Sequence, residues 1–176
     1  MHLNIITAIA LSLITVSTED LKLKSIPWLE MLEFEENCKR YPAQIVKVTD
    51  GDTASFDIDL GFDVKLVNQK LRMYGYNAPE SRTKNTKEKK LGMRAKQKLN
   101  DLIQSSFSLE ICIEPNKEKE KYGRLLGIIF ADNVNINTLL INQGYGIAYF
   151  GGKRSTTDFD SMYDKVYNEL KGEDVR

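Results

Sequence analysis

Residues 54–60 alternate without a break. Ala54, Phe56, Ile58 and Leu60 fall on one side and Ser55, Asp57 and Asp59 on the other. A period of two suits a strand with one buried face and does not suit a helix. Turn-forming residues bound the run, with Asp50-Gly51-Asp52-Thr53 before it and Gly61 after it. The flanking segments, 43–49 and roughly 64–74, also read as strands, so this part of the chain is a three-stranded meander.

The segments after residue 80 decide how the meander is completed. Leu91, Ala95, Leu99, Leu102 and Ile103 make an apolar stripe at helical spacing, with lysines opposite, so a helix is expected over 87–104. Leu109, Ile111 and Ile113 mark a fourth strand, and a mostly apolar fifth covers 125–131. A second helix is expected over 134–143, capped by Asn133 or Asn135 and ended by Gly144. Gly144 to Phe150 reads as a short irregular or extended piece, and 157–171 as a third helix with Met162, Val166 and Leu170 on one face. Five short strands with a helix between the third and fourth define an α+β chain that is mainly β barrel. The expected fold is a five-stranded OB-fold Greek-key barrel with three helices, whose closure removes exposed strand edges.

The domain is expected to span 41–172, after a leader of residues 1–40 and before a short tail, 173–176. In the leader, Ile5 to Val16 form an apolar run of 12 residues, short for a helix that spans a bilayer. It reads either as a signal or anchor segment or as an N-terminal packing helix. The first reading puts the protein outside the cell or on a membrane; the second leaves it soluble and intracellular. Trp28, Leu29, Leu32 and Phe34, in the charged stretch 19–41, are candidates to cap the domain. The two cysteines, Cys38 and Cys112, make neither a metal motif nor a disulfide framework, and a single bridge between them stays open. Cys112, between Glu110 and Glu114, is expected on a polar face.

The lone histidine, His2, is terminal, which excludes the usual zinc, serine and cysteine hydrolase arrangements. Formal net charge is zero, but residues 81–98 carry eight Lys or Arg against the single acid Glu88. Such a block is either a footprint for phosphate or the solvated face of a helix.

Chemistry concentrates in Arg72-Met73-Tyr74-Gly75-Tyr76-Asn77-Ala78-Pro79-Glu80. Leu71 and Met73 alternate with Arg72 and Tyr74 as in a strand; Gly75 and Pro79 then stop it. A guanidinium, an amide and a carboxylate thus gather where a strand ends, a place where scaffolds put function. Together with Asp50-Gly51-Asp52-Thr53 and Lys121-Tyr122-Gly123-Arg124, this stretch resembles the staphylococcal nuclease family over about residues 42–150. Gln143-Gly144, after the second helix, fits the same likeness.

The resemblance implies a calcium-dependent nuclease. Asp52 matches a calcium-binding aspartate, Asn77 falls where the family has a second one, and Ala78 falls where a backbone carbonyl meets the metal. Glu80 matches the carboxylate that positions or activates water. Arg72 and Arg124 match the two phosphate-binding arginines, and Tyr122 and Tyr149 match tyrosines lining the nucleotide site. The implied partner is DNA or RNA, single-stranded by preference, bound by a monomer with no obligate protein partner.

The residues make chemical sense without the name. Hydrolysis of an anionic phosphodiester needs charge neutralisation and an aligned water; guanidinium groups bind phosphate oxygens in pairs, and a hard cation takes oxygen ligands. An EF-hand reading of Asp50 and Asp52 fails, because Ser55 stands where that loop needs glycine. Asn77 departs from the family pattern, since an amide ligates calcium without charge. The departure keeps a second class in view, a non-catalytic barrel that binds nucleic acid or protein. Retention of Arg72, Glu80 and Arg124 together favours the enzyme.

Overall fold

The computed structural model describes residues 27–113 and 123–151, with positions 159, 162 and 164. The run Ile5 to Val16, Tyr122 and most of the expected third helix, Val166 and Leu170 included, lie outside the described residues. In chain order the elements are α1 (Pro27–Asn37), β1 (Arg40–Asp50), β2 (Thr53–Gly61), β3 (Val64–Met73), β4 (Tyr76–Asn77), α2 (Thr86–Gln104), β5 (Leu109–Ile113), β6 (Leu125–Ala131), β7 (Val134–Asn135), α3 (Ile136–Asn142) and β8 (Ile147–Ala148).

Five strands close into the expected barrel. β1 pairs antiparallel with both β2 and β5, β2 with β3, and β5 with β6. The ring shuts where β3 and β6 run parallel, with Leu71 beside Leu125 and Met73 beside Gly127. β1 pairs with β5 through Arg40–Pro42 and with β2 from Ala43 onward, and its ladder with β2 is interrupted between Ile45 and Lys47 and again between Val48 and Asp50; such bulges bend a strand and increase its twist. β7 folds back and pairs antiparallel with the end of β6, while β4 and β8 form a small separate pair.

Inside the ring, Ala54, Phe56, Ile58, Leu71, Ile111 and Ile129 have no exposed surface. Leu60, the last apolar member of the alternating run, is only half-buried near the hairpin tip. α2 closes one side with Leu91, Ala95, Leu99 and Ile103, and α3 adds Ile136 and Leu140. The α2 start is fixed chemically: the Asn85 side chain accepts hydrogen bonds from the Lys87 and Glu88 amides, satisfying two of the donors that a helix N-terminus leaves open. Asn135, one of the two cap candidates, caps α3. The helix begins there rather than at Val134, which pairs with Ala131 in β7.

α1 packs on the outer face of β5 and β6 and on Tyr74, just past β3. Met31 and Phe34 bury against Tyr74, Cys112, Ile128 and Phe130, and Phe34 meets Tyr74 edge-on at 5.0 Å. Leu32, expected to cap the domain, instead faces solvent on the opposite side of α1. The Trp28 and Leu29 side chains lie outside the described residues. Cys112 is not on a polar face. It is fully buried and bridged to Cys38, joining the end of α1 to β5. Its neighbour Ile111 fills the barrel, and the opposite face of β5, which the two glutamates suggested was wet, is covered by α1. Phe159, Met162 and Asp164 are helical, with Phe159 buried.

Candidate active site

β3 carries Arg72 to the rim of the barrel with its side chain outward. Parallel pairing sets Arg72 beside Leu126, and Arg124, immediately before β6, lines the same cleft as Arg72 and Leu126. Two arginines 52 positions apart in sequence therefore meet at one site. Antiparallel pairing sets Thr53 opposite Arg72, which delivers Asp52 from the β1–β2 turn. After Met73 the chain leaves the barrel, and β4 brings Asn77 back toward Asp52. An open cleft of about 700 Å³ results, lined by Asp52, Arg72, Asn77, Glu80, Arg124 and Tyr149, with Tyr74 and Phe150 below.

The structure thus brings together six of the eight residues expected at a site. Ala78 is buried behind the cleft and touches it through Asp52, which accepts its N–H at 3.1 Å. Tyr122 lies outside the described residues. Tyr149 is set by its own amide, which donates to the Gly75 carbonyl at 3.0 Å.

Arg72 is the hub. Its guanidinium forms an ion pair with Asp52 and donates to the Asn77 amide oxygen at 2.8 Å. Asp52 is further held by the Thr53 hydroxyl at 2.9 Å. A guanidinium only donates, so the Asn77 oxygen must face it. The Asn77 NH₂ then points elsewhere, buried and with no hydrogen-bond acceptor among the described residues.

A second carboxylate, Asp50, sits beneath. It accepts from the Gly51 amide at 2.9 Å and the Ser81 amide at 3.4 Å. Burial opposes its ionisation, yet a hydrogen bond shared between the Asp50 and Glu80 carboxyl groups, with those donated by Gly51 and Ser81, holds the Asp50 carboxyl below the usual value. Tyr76, wholly buried with its hydroxyl on the Tyr145 carbonyl, is pushed strongly upward by burial and stays neutral.

Several contributors to the site carry no motif. Glu88 accepts the Glu80 amide at 3.2 Å; its one sequence signal is that it is the single acid in a basic block. Gly92 lets α2 lie directly on the Pro79–Ser81 backbone, where an added Cβ would stand 2.6 Å from the Pro79 oxygen and the Ser81 nitrogen. Gly51 is similarly confined by Ala78 and Ala95. Asn137, fully buried, donates to the Tyr74 and Gly127 carbonyls and accepts from the Ile129 amide. It ties the end of β3 to β6 where the cleft opens.

The metal-capable side-chain atoms beside Asp52 are oxygens, its own carboxylate and the Asn77 amide oxygen, which suits a hard divalent cation in kind, and both are engaged by Arg72. The protein shell is sparse: among the described residues no group of three or more His, Cys, Asp or Glu side chains is arranged to hold a metal ion.

A barrel of the oligonucleotide-binding type with a cleft of paired arginines and carboxylates defines a class, and comparison assigns it. The chain belongs to the staphylococcal nuclease homologue family, which matches residues 70–173, more than half of its length. It is 29% identical over 121 residues to an uncharacterized protein of Bacillus anthracis, covering 69% of this chain and 53% of that one. It is 27% identical over 142 residues to an uncharacterized protein of Methanocaldococcus jannaschii, covering 72% and 68%. An uncharacterized endonuclease of Haemophilus influenzae is 29% identical over 107 residues, covering 60% and 51%. The chain thus spans about half the length of the Bacillus and Haemophilus relatives.

Proposed function

We propose that the protein is a phosphodiesterase that hydrolyses DNA or RNA with the help of calcium. The observation that carries this reading is the convergence of Arg72, Arg124, Glu80, Asp52 and Asn77 on one open cleft. Arg72 and Arg124 bind the phosphate oxygens and offset the charge that builds up as water attacks. Glu80 holds that water or takes its proton, and the Glu88 carboxylate steadies the Glu80 backbone while it does so. Tyr149, with Tyr122 by family likeness, lines the nucleotide side. Asp52, the Asn77 oxygen and the Ala78 carbonyl would hold the calcium ion, which supplies polarisation of the phosphoryl oxygen. The substrate is single-stranded by preference and the enzyme acts as a monomer. The Cys38–Cys112 bridge supports an oxidising compartment, in keeping with an export role for Ile5 to Val16.

The test is hydrolysis of single-stranded DNA and RNA by the full chain with added calcium and with chelator. Cleavage with calcium and loss in chelator is the expected result. Activity unchanged by chelation removes the calcium assignment. Tight binding of oligonucleotide without any cleavage favours the non-catalytic reading that Asn77 keeps open.

A further inference from the structure

The neutrality of the chain conceals a separation of charge. Of 25 basic and 25 acidic residues, eight basic and one acidic fall in residues 81–98, so the remainder holds 17 basic against 24 acidic. The fold mounts six of those eight cations on α2, which packs on the Pro79–Ser81 backbone at the edge of the cleft. α2 is pinned by the Asn85 cap, by Gly92 on the Pro79–Ser81 backbone and by Ala95 against Gly51. Its one early acid, Glu88, is engaged with the Glu80 amide. The basic surface therefore starts within a helical turn of Glu80.

Arg82 of this block reaches Asp50 at 4.0 Å, but four of the eight cations hold no such place. Lys89, Lys90 and Arg94 are exposed and Lys96 is half-buried. None of the four makes an ion pair among the described residues. Lys87 reaches Asp164 at 3.6 Å, and Lys98 lies over the Tyr145 ring at 5.8 Å. Lys90, Arg94 and Lys98 follow one another at four-residue spacing, where like charges destabilise a helix by roughly 0.2–0.5 kcal/mol per pair. A surface that costs stability and is only partly compensated among the described residues, by Asp50 and Asp164, is complementary to a polyanion.

We propose that the exposed face of α2 is a docking track for the sugar-phosphate backbone of a polynucleotide whose scissile phosphodiester lies in the cleft. This rests on the phosphodiesterase reading and deepens it, since it makes the preferred substrate a long polymer. From Lys87 to Lys98 the track is about 17 Å long at 1.5 Å per residue. At 3.4 Å per phosphate along a strand, that length meets about five phosphates.

The test is the triple variant Lys89→Gln/Lys90→Gln/Arg94→Gln, compared with wild type in two measurements. Fluorescence anisotropy with a labelled single strand of about 20 nucleotides, in chelator, reads binding against salt. Cleavage of a dinucleotide, with calcium, reads chemistry that the track does not touch. Losing three phosphate contacts should flatten the slope of log K against log salt by about 2, which is about 100-fold in affinity at 0.1 M salt. Dinucleotide cleavage should be unchanged, which also shows that the variant is folded. Equal affinity and equal slope in the two proteins would overturn the track even if both cut the dinucleotide. Loss of anionic-vesicle binding in the variant, with oligonucleotide binding intact, would overturn it in favour of a membrane surface. A chain that binds the oligonucleotide through α2 yet cuts neither substrate supports the track and refutes the phosphodiesterase reading alone.

Discussion

Replacing Gly92 with alanine sets two effects against each other, and their sizes decide the outcome. Gly92 is inside α2, where alanine is favoured over glycine by about 0.8–1.0 kcal/mol. At an open position Gly92→Ala would therefore stabilise the protein. Here the new methyl would lie 2.6 Å from the Pro79 oxygen and the Ser81 nitrogen and 2.7 Å from the Glu80 carbonyl carbon, against 3.4 Å for ordinary contact. All three are backbone atoms, so no side chain can swing away. Either α2 or the loop must move by about 0.8 Å, and overpacking of this kind costs roughly 1–3 kcal/mol. The net expectation is a destabilisation of about 0–2 kcal/mol, small enough for the variant to fold. The larger effect is on rate. The displaced segment carries Glu80, and a misplacement near 1 Å in an active site costs up to about 100-fold. We expect kcat on a dinucleotide to fall by about 10- to 100-fold with little change in KM, while urea denaturation shows the modest loss. A variant more stable than wild type with full kcat would refute the reasoning, because it would mean that α2 does not press on the Glu80 loop.

Arg72→Lys and Arg124→Lys should each lower kcat by about 10²–10³-fold, since lysine keeps the charge and loses the planar fork; near-normal turnover in both would remove these side chains from the phosphate. Asn77→Asp should bind calcium more tightly by calorimetry without substrate and reach full activity at lower calcium, because affinity rises with ligand charge. Equal affinities would mean that Asn77 is not a ligand. Reducing the Cys38–Cys112 bridge, which spans 74 residues, should lower stability by about 2–4 kcal/mol, read as a shift in the urea midpoint with and without reductant.

The barrel was legible because its signals are local. Residues 54–60 could bury one face only as a strand, and the apolar run 125–131 coincides with β6. What escaped the sequence depends on contacts between distant segments. β4 and β8 are two residues each and exist only because Gly146 lets the chain pass against Tyr76 and the Asn77 carbonyl. No periodicity marks a strand of two. Cys112 misled for a related reason. Its flanking glutamates describe a wet face of β5, but α1 arrives from about 74 positions upstream to cover that face. Leu32 and Phe34 are both apolar on a short helix, and nothing local says which one meets Tyr74.

The site was legible as a set of residues and not as an arrangement. Arg72, Asn77 and Glu80 share one stretch, but Asp52 joins them through the β2–β3 register, in which Thr53 faces Arg72. A slip of one residue would turn Arg72 into the barrel and Leu71 out of it. Glu88, Gly92 and Asn137 read as ordinary helix residues until their partners are known. The sequence does show that Asn77 brings no charge; the structure shows what that neutrality balances. One guanidinium, Arg72, serves both the Asp52 carboxylate and the Asn77 oxygen, so one positive charge meets one negative charge. The amide orientation this imposes leaves a buried N–H donor unmatched among the described residues, at a cost of about 1–3 kcal/mol. An aspartate at 77 would remove that donor but give Arg72 two carboxylates to offset, leaving an unbalanced negative charge among largely buried side chains at the base of the cleft. Two carboxylates on one guanidinium attract a cation more strongly than the present Arg72–Asp52 pair does. Asn77→Asp should therefore tighten calcium binding for two reasons: one more anionic ligand, and the loss of a charge balance that Arg72 now supplies alone.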